Sequence, residues 1–413
     1  MFGFSPSLKL NCMKEEQSKE QLGYVHEFGV KNFYSIKDLR MSGLGDRREI
    51  YLLGENGDGK SLILMALVLA FKGHFIEQFT ERKETGVVFD MIRANLKLVL
   101  YGKDNQGAEY KYPVSGRSSN GNGAVSLKNV LAYGVHRSRN DSDRSSSLGF
   151  MTLFDDNQYL TSPEQWLTKL YTGELERSTI KAAVRLEPIS LAVAREILYN
   201  LLDKNVEIQV SSEGVKYIER GTLLQFSQLS EGYKSVITWV CDMASRLSLS
   251  NRTVEKIQDC QGVVLVDEIN LHLHPKWERQ IVRKLRGWFP KVQFFFTTHS
   301  PVSVLGASDD AVFYRVFKEK GETKISEPYF KSDLKDLMAN NIITSPLFGL
   351  EDARMNSRDL AQVNLDTSED FLYSRIHQKI TERLAEKKKA GKVYFSPSDL
   401  DNMIEKALNE ELA

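Results

Sequence analysis

The chain has 413 residues with 55 basic and 55 acidic side chains and an isoelectric point near 7.1. That length allows two or three domains or one domain with large insertions, and the balanced charge excludes the overall positive field of a protein whose main task is coating nucleic acid, leaving only a local basic groove open. Cys12, Cys241 and Cys260 stand in no CxxC spacing, so neither a disulfide framework nor a zinc cluster is expected and a reducing, cytoplasmic setting fits. The longest apolar run, Leu62 to Phe71, is shorter than the roughly 20 residues of a membrane span, and the first 20 residues lack a signal-peptide core, so no membrane association is expected.

In chain order, residues 1–23 read as an N-terminal extension. Short strands are expected from Tyr24 to Leu53, with apolar and polar residues alternating in "IKDLRMSG". A glycine-rich loop follows, then "KSLILMALVLAFKG", apolar on nearly every side, which predicts a core helix ending at Gly73. Residues 87–135 predict antiparallel strands forming a β lobe, and two stretches, 115–123 and 138–147, predict flexible connections. Residues 150–228 read as a mainly helical insertion; Ser162-Pro163-Glu164-Gln165 is a helix start, with Pro in the first turn and Gln three after the cap, and "EIQVSSEGVKYIE" reads as a hairpin.

The helix "GYKSVITWVCDMASRL" then leads to the apolar strand "GVVLVDE", the helix "PKWERQIVRKLRGWF" and a second apolar strand, "VQFFFTTHS". Continuous apolar strands of this kind suit the centre of a parallel sheet covered on both faces. Residues 317–413 are more polar and helical at the end, and read as a partner-binding or assembly region. The sequence shows no internal repeat and no sustained heptads.

Gly54, Gly59, Lys60 and Ser61 fit G-x-x-x-x-G-K-[ST] with a strand before and a helix after. The glycines, with Asn56 and Gly57 inside the loop, let successive N–H groups point inward at a polyphosphate, and the helix N-terminus adds its positive dipole end. Lys60 is expected to neutralise phosphate charge and Ser61 to hold Mg²⁺. Asp267 and Glu268 close an apolar strand, where ligands of open α/β folds bind. Asp267 suits Mg²⁺, and Glu268 suits polarising an attacking water.

"QLSEGYKS" (228–235) opens a helix and resembles the signature sequence of ABC-type ATPases, and "FFFTTHSP" ends a buried strand with His299. Together "FGVKNFYSIKDLRM", "GENGDGKS", "LSEGYKS", "LVDEINLHLHP" and "TTHSP" look like the RecF- and SMC-like ABC ATPases, in particular the short bacterial ATPases found with OLD-family nucleases and in phage-defence systems such as Septu, PARIS and retrons. The resemblance covers residues 24–316 and implies an α/β fold: an ABC-type P-loop ATPase head with a mixed central sheet, an antiparallel β lobe, a helical lobe and a short helical C-terminal tail. It implies ATP and Mg²⁺ as ligands, a switch-histidine role for His299, and Ser230 with Gly232 completing the phosphate site of a second copy, hence a homodimer or a higher oligomer.

The family's glutamine-bearing loop is assigned to Gln158 in "LFDDNQYL". The insertion between phosphate loop and signature lacks heptads, so a compact lobe is expected in place of a long coiled coil. Arg137 and Arg139 could reach nucleotide or a partner, although an arginine pair before a flexible loop suits a solvated surface. Asp399 and Asp401 in "SPSDLDNMIEKAL" suit a helix cap better than a nuclease site, and "AEKKKAGK" suits a solvated face.

The function that follows is a nucleotide-driven ATPase switch controlling a separate effector protein, a nuclease or toxin, in phage defence. The alternative is a DNA-repair ATPase clamping DNA ends. A transporter subunit fits less well because His274 replaces the Asp usual in that loop, and a nuclease fits less well because the tail is short.

Overall fold

The computed structural model describes residues 24–334 apart from 46, 79–96, 104–108, 116–128, 147 and 180–188. The chain divides into two units, Met1–Glu351 and Asp352–Ala413, and the described residues all lie in the first. Asp399, Asp401, the basic run near 388 and most of the 115–123 stretch lie outside the described residues.

The first strands are β1 (Tyr24–Phe33), β2 (Ile36–Met41) and β3 (Glu49–Leu53), followed by helix α1 (Lys60–Gln78). Next come β4 (Lys97–Lys103), β5 (Glu109–Ser115), β6 (Val130–Tyr133), α2 (Pro163–Thr179) and α3 (Leu191–Leu201). A run of short strands, β7 (Val206–Ser211), β8 (Gly214–Glu219) and β9 (Thr222–Leu224), precedes α4 (Glu231–Ser250) and β10 (Gly262–Val266). The described part closes with α5 (Pro275–Trp288), β11 (Val292–Thr298), α6 (Pro301–Gly306), β12 (Val312–Glu319), β13 (Glu322–Ile325) and β14 (Tyr329–Phe330).

A seven-stranded mixed sheet has the order β13-β12-β3-β11-β10-β6, with β14 also pairing β12. Its pairs from β12 to β6 are parallel. Side chains alternate across it as the strand period of two requires. Ile50, Leu52, Val263, Leu265 and Phe295 enter one core, with α1 and the strands β1 and β2. Tyr51, Leu53, Val264, Val266, Phe294 and Phe296 enter the other, with α2 to α6. Burial on both faces is why "GVVLV" is wholly apolar and "VQFFFTT" holds three phenylalanines in succession. Residues of α1 share one core with both sheets that flank it, and this accounts for a helix apolar nearly all round.

Several expectations change in the structure. The antiparallel lobe is a four-stranded sheet of order β2-β1-β4-β5, but β6 is not part of it. Val130–Tyr133 pairs in parallel with β10 at the edge of the central sheet, because all four of its residues are buried and find core on both faces. α1 runs past Gly73 to Gln78, since one internal glycine costs only about 1 kcal/mol, too little to stop a helix packed over much of its length.

The 138–147 stretch is built into the fold: Asn140 and Ser145 bridge Leu160 and Tyr159, and Arg139 N–H and O reach His136 O and Leu160 N. The expected hairpin forms and gains β9 as a third strand. Ser162 Oγ accepts Gln165 N–H at 3.4 Å, as expected of a cap, while the Ser162 N–H itself goes to Ser142 Oγ. The central sheet continues beyond residue 316 through β12, β13 and β14. Among the described residues, no helix is long and apolar enough to cross a membrane.

Candidate functional site

Three neighbouring parallel strands, β3, β11 and β10, bring the expected residues together at their carboxyl ends. The glycine loop leaves β3, His299 follows β11, and Asp267 with Glu268 follows β10.

α1 begins at Lys60, so the amides of its first turn have no intrahelical acceptor and face the loop. Asp58 folds the loop by accepting the Glu55 N–H on Oδ2 at 2.8 Å. Gly59 sits at φ +102°, and a Cβ there would lie 2.5 Å from Thr323 Oγ1, so this position requires glycine twice over. Thr323, from β13, donates to Asp58 O at 2.9 Å and so supports the loop from outside. Asn56 and Gly57 are exposed at the loop tip.

Lys60 is buried, and its Nζ donates to Gly54 O and Glu55 O at 3.0 Å each and lies 3.4 Å from Glu268 Oε1. Ser61 Oγ donates to Asp267 Oδ2 at 2.8 Å. A hydroxyl beside a carboxylate is a hard oxygen pair that suits Mg²⁺. Among the described residues no group of three or more His, Cys, Asp or Glu gathers to hold a metal. Burial raises the Asp267 carboxyl above its ordinary range, opposed by the Thr297 and Ser61 hydroxyls bonded to it. Thr297 Oγ1 donates to Asp267 Oδ1 and accepts the Glu268 N–H at 2.7 Å.

His299, half exposed, pairs Nδ1 with Glu268 Oε2 at 2.9 Å. With Nδ1–H donating to the carboxylate, a neutral ring leaves Nε2 as an acceptor, so giving a hydrogen bond to a phosphate oxygen requires the ring to leave Glu268 or gain a second proton.

The expected signature residues stand at a helix start. Ser230 is the exposed N-cap of α4 and accepts the Tyr233 N–H at 3.4 Å. Gly232 is buried against the loop after β10: a Cβ there would meet His272 O at 2.5 Å. Gly232→Ala is therefore expected to destabilise the fold by about 1–3 kcal/mol, the usual cost of overpacking, read as a lower thermal midpoint. A midpoint equal to the parent would show that this loop gives way freely. His274 caps α5, with Nδ1 accepting the Lys276 N–H at 3.3 Å.

Gln158 is not brought to the cluster. It sits in a turn, its Nε2 donating to Asp155 Oδ2 at 2.9 Å, and none of the described contacts joins it to Lys60, Asp267 or Glu268. Arg139 is exposed and donates to Asp156 O at 2.7 Å. Arg137 overturns the expectation of a solvated arginine: it is 1% exposed and bonded to the backbone of Asp267 and Glu268. Burial lowers its pKa to about 10, opposed by the charges of Asp267 and Glu268. Thr297 and Thr323 were not singled out by the sequence; the only signal for Thr297 is a polar residue in a buried apolar strand two places before His299.

A family model described as "AAA domain, putative AbiEii toxin, Type IV TA system" matches residues 196–305. The Septu protein PtuA of Bacillus mycoides is 26% identical over 363 residues, 85% of this chain and 48% of that protein. The retron Vc95 probable ATPase of Vibrio cholerae is 41% identical over 95 residues, 23% of this chain and 18% of that protein. Over these stretches the chain is similar to an AAA domain, to a Septu protein and to a retron probable ATPase. The chain spans about half the length of the Bacillus mycoides relative. Among solved structures, the SMC head domain from Thermotoga maritima aligns with 73% of this chain and 98% of its own at 16% identity and a TM-score of 0.39.

Proposed function

We propose that the chain binds and hydrolyses ATP with Mg²⁺, and that hydrolysis drives a switch controlling a separate effector protein, a nuclease or toxin, in bacterial phage defence. The observation that carries the catalytic part is the convergence of Lys60, Ser61, Asp267, Glu268 and His299 at the carboxyl ends of three adjacent parallel strands. The loop amides and Lys60 bind the phosphates, and Ser61 with Asp267 holds the metal. When bound, Mg²⁺ neutralises phosphate charge. Glu268 takes the proton of the attacking water, and His299 orients Glu268 and senses the terminal phosphate.

The exposed start of α4 supports a second copy's role: Ser230 and the first-turn amides form an anion site suited to the phosphate of the facing protomer. The likeness to Septu and retron proteins supports the defence setting, and the effector follows from that setting.

The test is to mix two variants, Lys60→Met and Ser230→Arg. Each homodimer lacks every complete site, but a mixed dimer has one intact site, so random exchange is expected to restore about a quarter of parental turnover. No recovery from two folded variants rules out the face-to-face site. The effector half is tested by mass photometry of the protein co-expressed with its genomic neighbours, with and without ATP and Mg²⁺. A neighbour complex that changes on hydrolysis supports it, whereas a dimer that captures only added DNA favours a DNA clamp.

A further inference from the structure

Arg137 is 1% exposed although it follows β6 in a segment that is otherwise partly open to solvent. One terminal nitrogen donates to Asp267 O at 2.6 Å and to Gly134 O at 3.3 Å, the other donates to Glu268 O at 2.7 Å, and Nε has no partner. Among the described residues it makes no ion pair with a carboxylate within 4.0 Å. Burying a cation against neutral oxygens is costly, and an apolar side chain of similar volume would fill the space more cheaply. A guanidinium offers what such a side chain lacks, a rigid planar fork that spans two successive carbonyls.

Those two carbonyls flank the φ, ψ pair of Glu268. Glu268 sits at φ +46°, a left-handed conformation uncommon for a residue with a long side chain. Thr297 holds its N–H, and Arg137 holds its C=O and the one before it. The backbone that aims the Glu268 carboxylate is thus fixed on both sides.

The segment bearing Arg137 is anchored at a second place. Asp267 N–H reaches Tyr133 O at 2.8 Å, Asn140 Nδ2 reaches Thr238 Oγ1 at 3.3 Å, and Tyr133 OH donates to Asp242 Oδ2 at 3.0 Å. Buried Asp242 also accepts the Thr161 N–H at 3.2 Å and pairs with Arg246 Nε at 2.7 Å. Thr238 and Asp242 belong to α4, the helix that Ser230 caps. One short segment therefore touches both the signature helix and the turn at Glu268.

We propose that Arg137 is a positioning residue for hydrolysis: its fork holds the turn that aims Glu268, and its segment ties that turn to α4. The proposal rests on Glu268 acting as the base. Parental protein without turnover, or Glu268→Gln with full turnover, would remove that premise and is measured first.

With turnover established, Arg137→Lys and Arg137→Met are compared with Arg139→Ala, which alters the exposed neighbour. Both Arg137 variants are expected to lose about 100-fold in kcat, the effect of a misplaced catalytic group, with the KM for ATP and the Kd for a non-hydrolysable ATP analogue within about threefold of the parent. Lys keeps the charge without the fork and gives no rescue; Arg139→Ala keeps parental kcat. A folded Arg137→Lys with kcat within about threefold of the parent overturns the proposal, as does a fall in kcat matched by the same loss of analogue binding. If the Arg137 variants do not fold, Asn140→Ala, which frees the same segment from Thr238, is expected to lower kcat about fivefold, the worth of one hydrogen bond, with analogue Kd unchanged. Unchanged kcat in that variant also overturns the proposal.

Discussion

Glu268→Gln is expected to lower ATP turnover by at least about 100-fold while nucleotide binding persists, the range by which a positioned general base contributes. The side chains are nearly the same size, the amide oxygen can still accept from Lys60, and the amide NH2 can donate to His299 Nδ1 once the ring carries its proton on Nε2, so the fold and the loop remain in place. What is lost is the basic carboxylate. The loss also removes a negative charge 3.4 Å from Lys60, so the lysine is freer to meet phosphate and the analogue Kd is expected to stay level or tighten. Phosphate release under saturating ATP gives kcat, and titration with a non-hydrolysable analogue gives Kd. Parental turnover in this variant would mean that another group takes the proton, and His299, its hydrogen-bond partner, would be tested next.

Lys60→Met should abolish binding before any chemistry. Lys60 is buried at the start of α1 and points its ammonium at the loop carbonyls of Gly54 and Glu55, where a polyphosphate would be cradled. Removing it deletes charge-assisted hydrogen bonds of about 1.5–3 kcal/mol each, so Kd is expected to rise at least about 100-fold. Met matches the length and apolar stem of Lys, which keeps the helix packed. The readout is the thermal shift: parental protein gains stability on adding ATP by mass action, and the variant does not. A Kd within about threefold of the parent would refute the role given to Lys60.

These two outcomes also separate failure modes. Glu268→Gln that binds but does not turn over, beside Lys60→Met that does neither, marks a phosphate cradle distinct from a base. Loss of binding in both variants would make the pair between Lys60 and Glu268 a structural element of the loop.

The glycine loop proposed to hold phosphate was legible because its physics is local. Gly54 to Ser61 form the loop from one continuous stretch, and the left-handed position at Gly59 is written as a glycine. Asp267, Glu268 and His299 were legible for a related reason: a buried strand must end before charged groups can appear, so the residues that close "GVVLV" and "VQFFFTT" mark the sheet's carboxyl edge.

The sequence by itself determined the residues at each strand end, the buried parallel strands and the helix starts, since spacing and burial pattern act over a few residues. Only the tertiary structure decided which strands are neighbours: "VLAY" reads as a strand in any sheet, and its place beside β10 depends on both faces finding core. It also decided the fate of Arg137, whose two shortest hydrogen bonds go to backbone carbonyls 130 and 131 residues away, which carry no side-chain identity for a sequence to display. Thr323 supports the glycine loop from 265 residues beyond Asp58 for the same reason: a contact to main chain across the fold leaves no pattern along it.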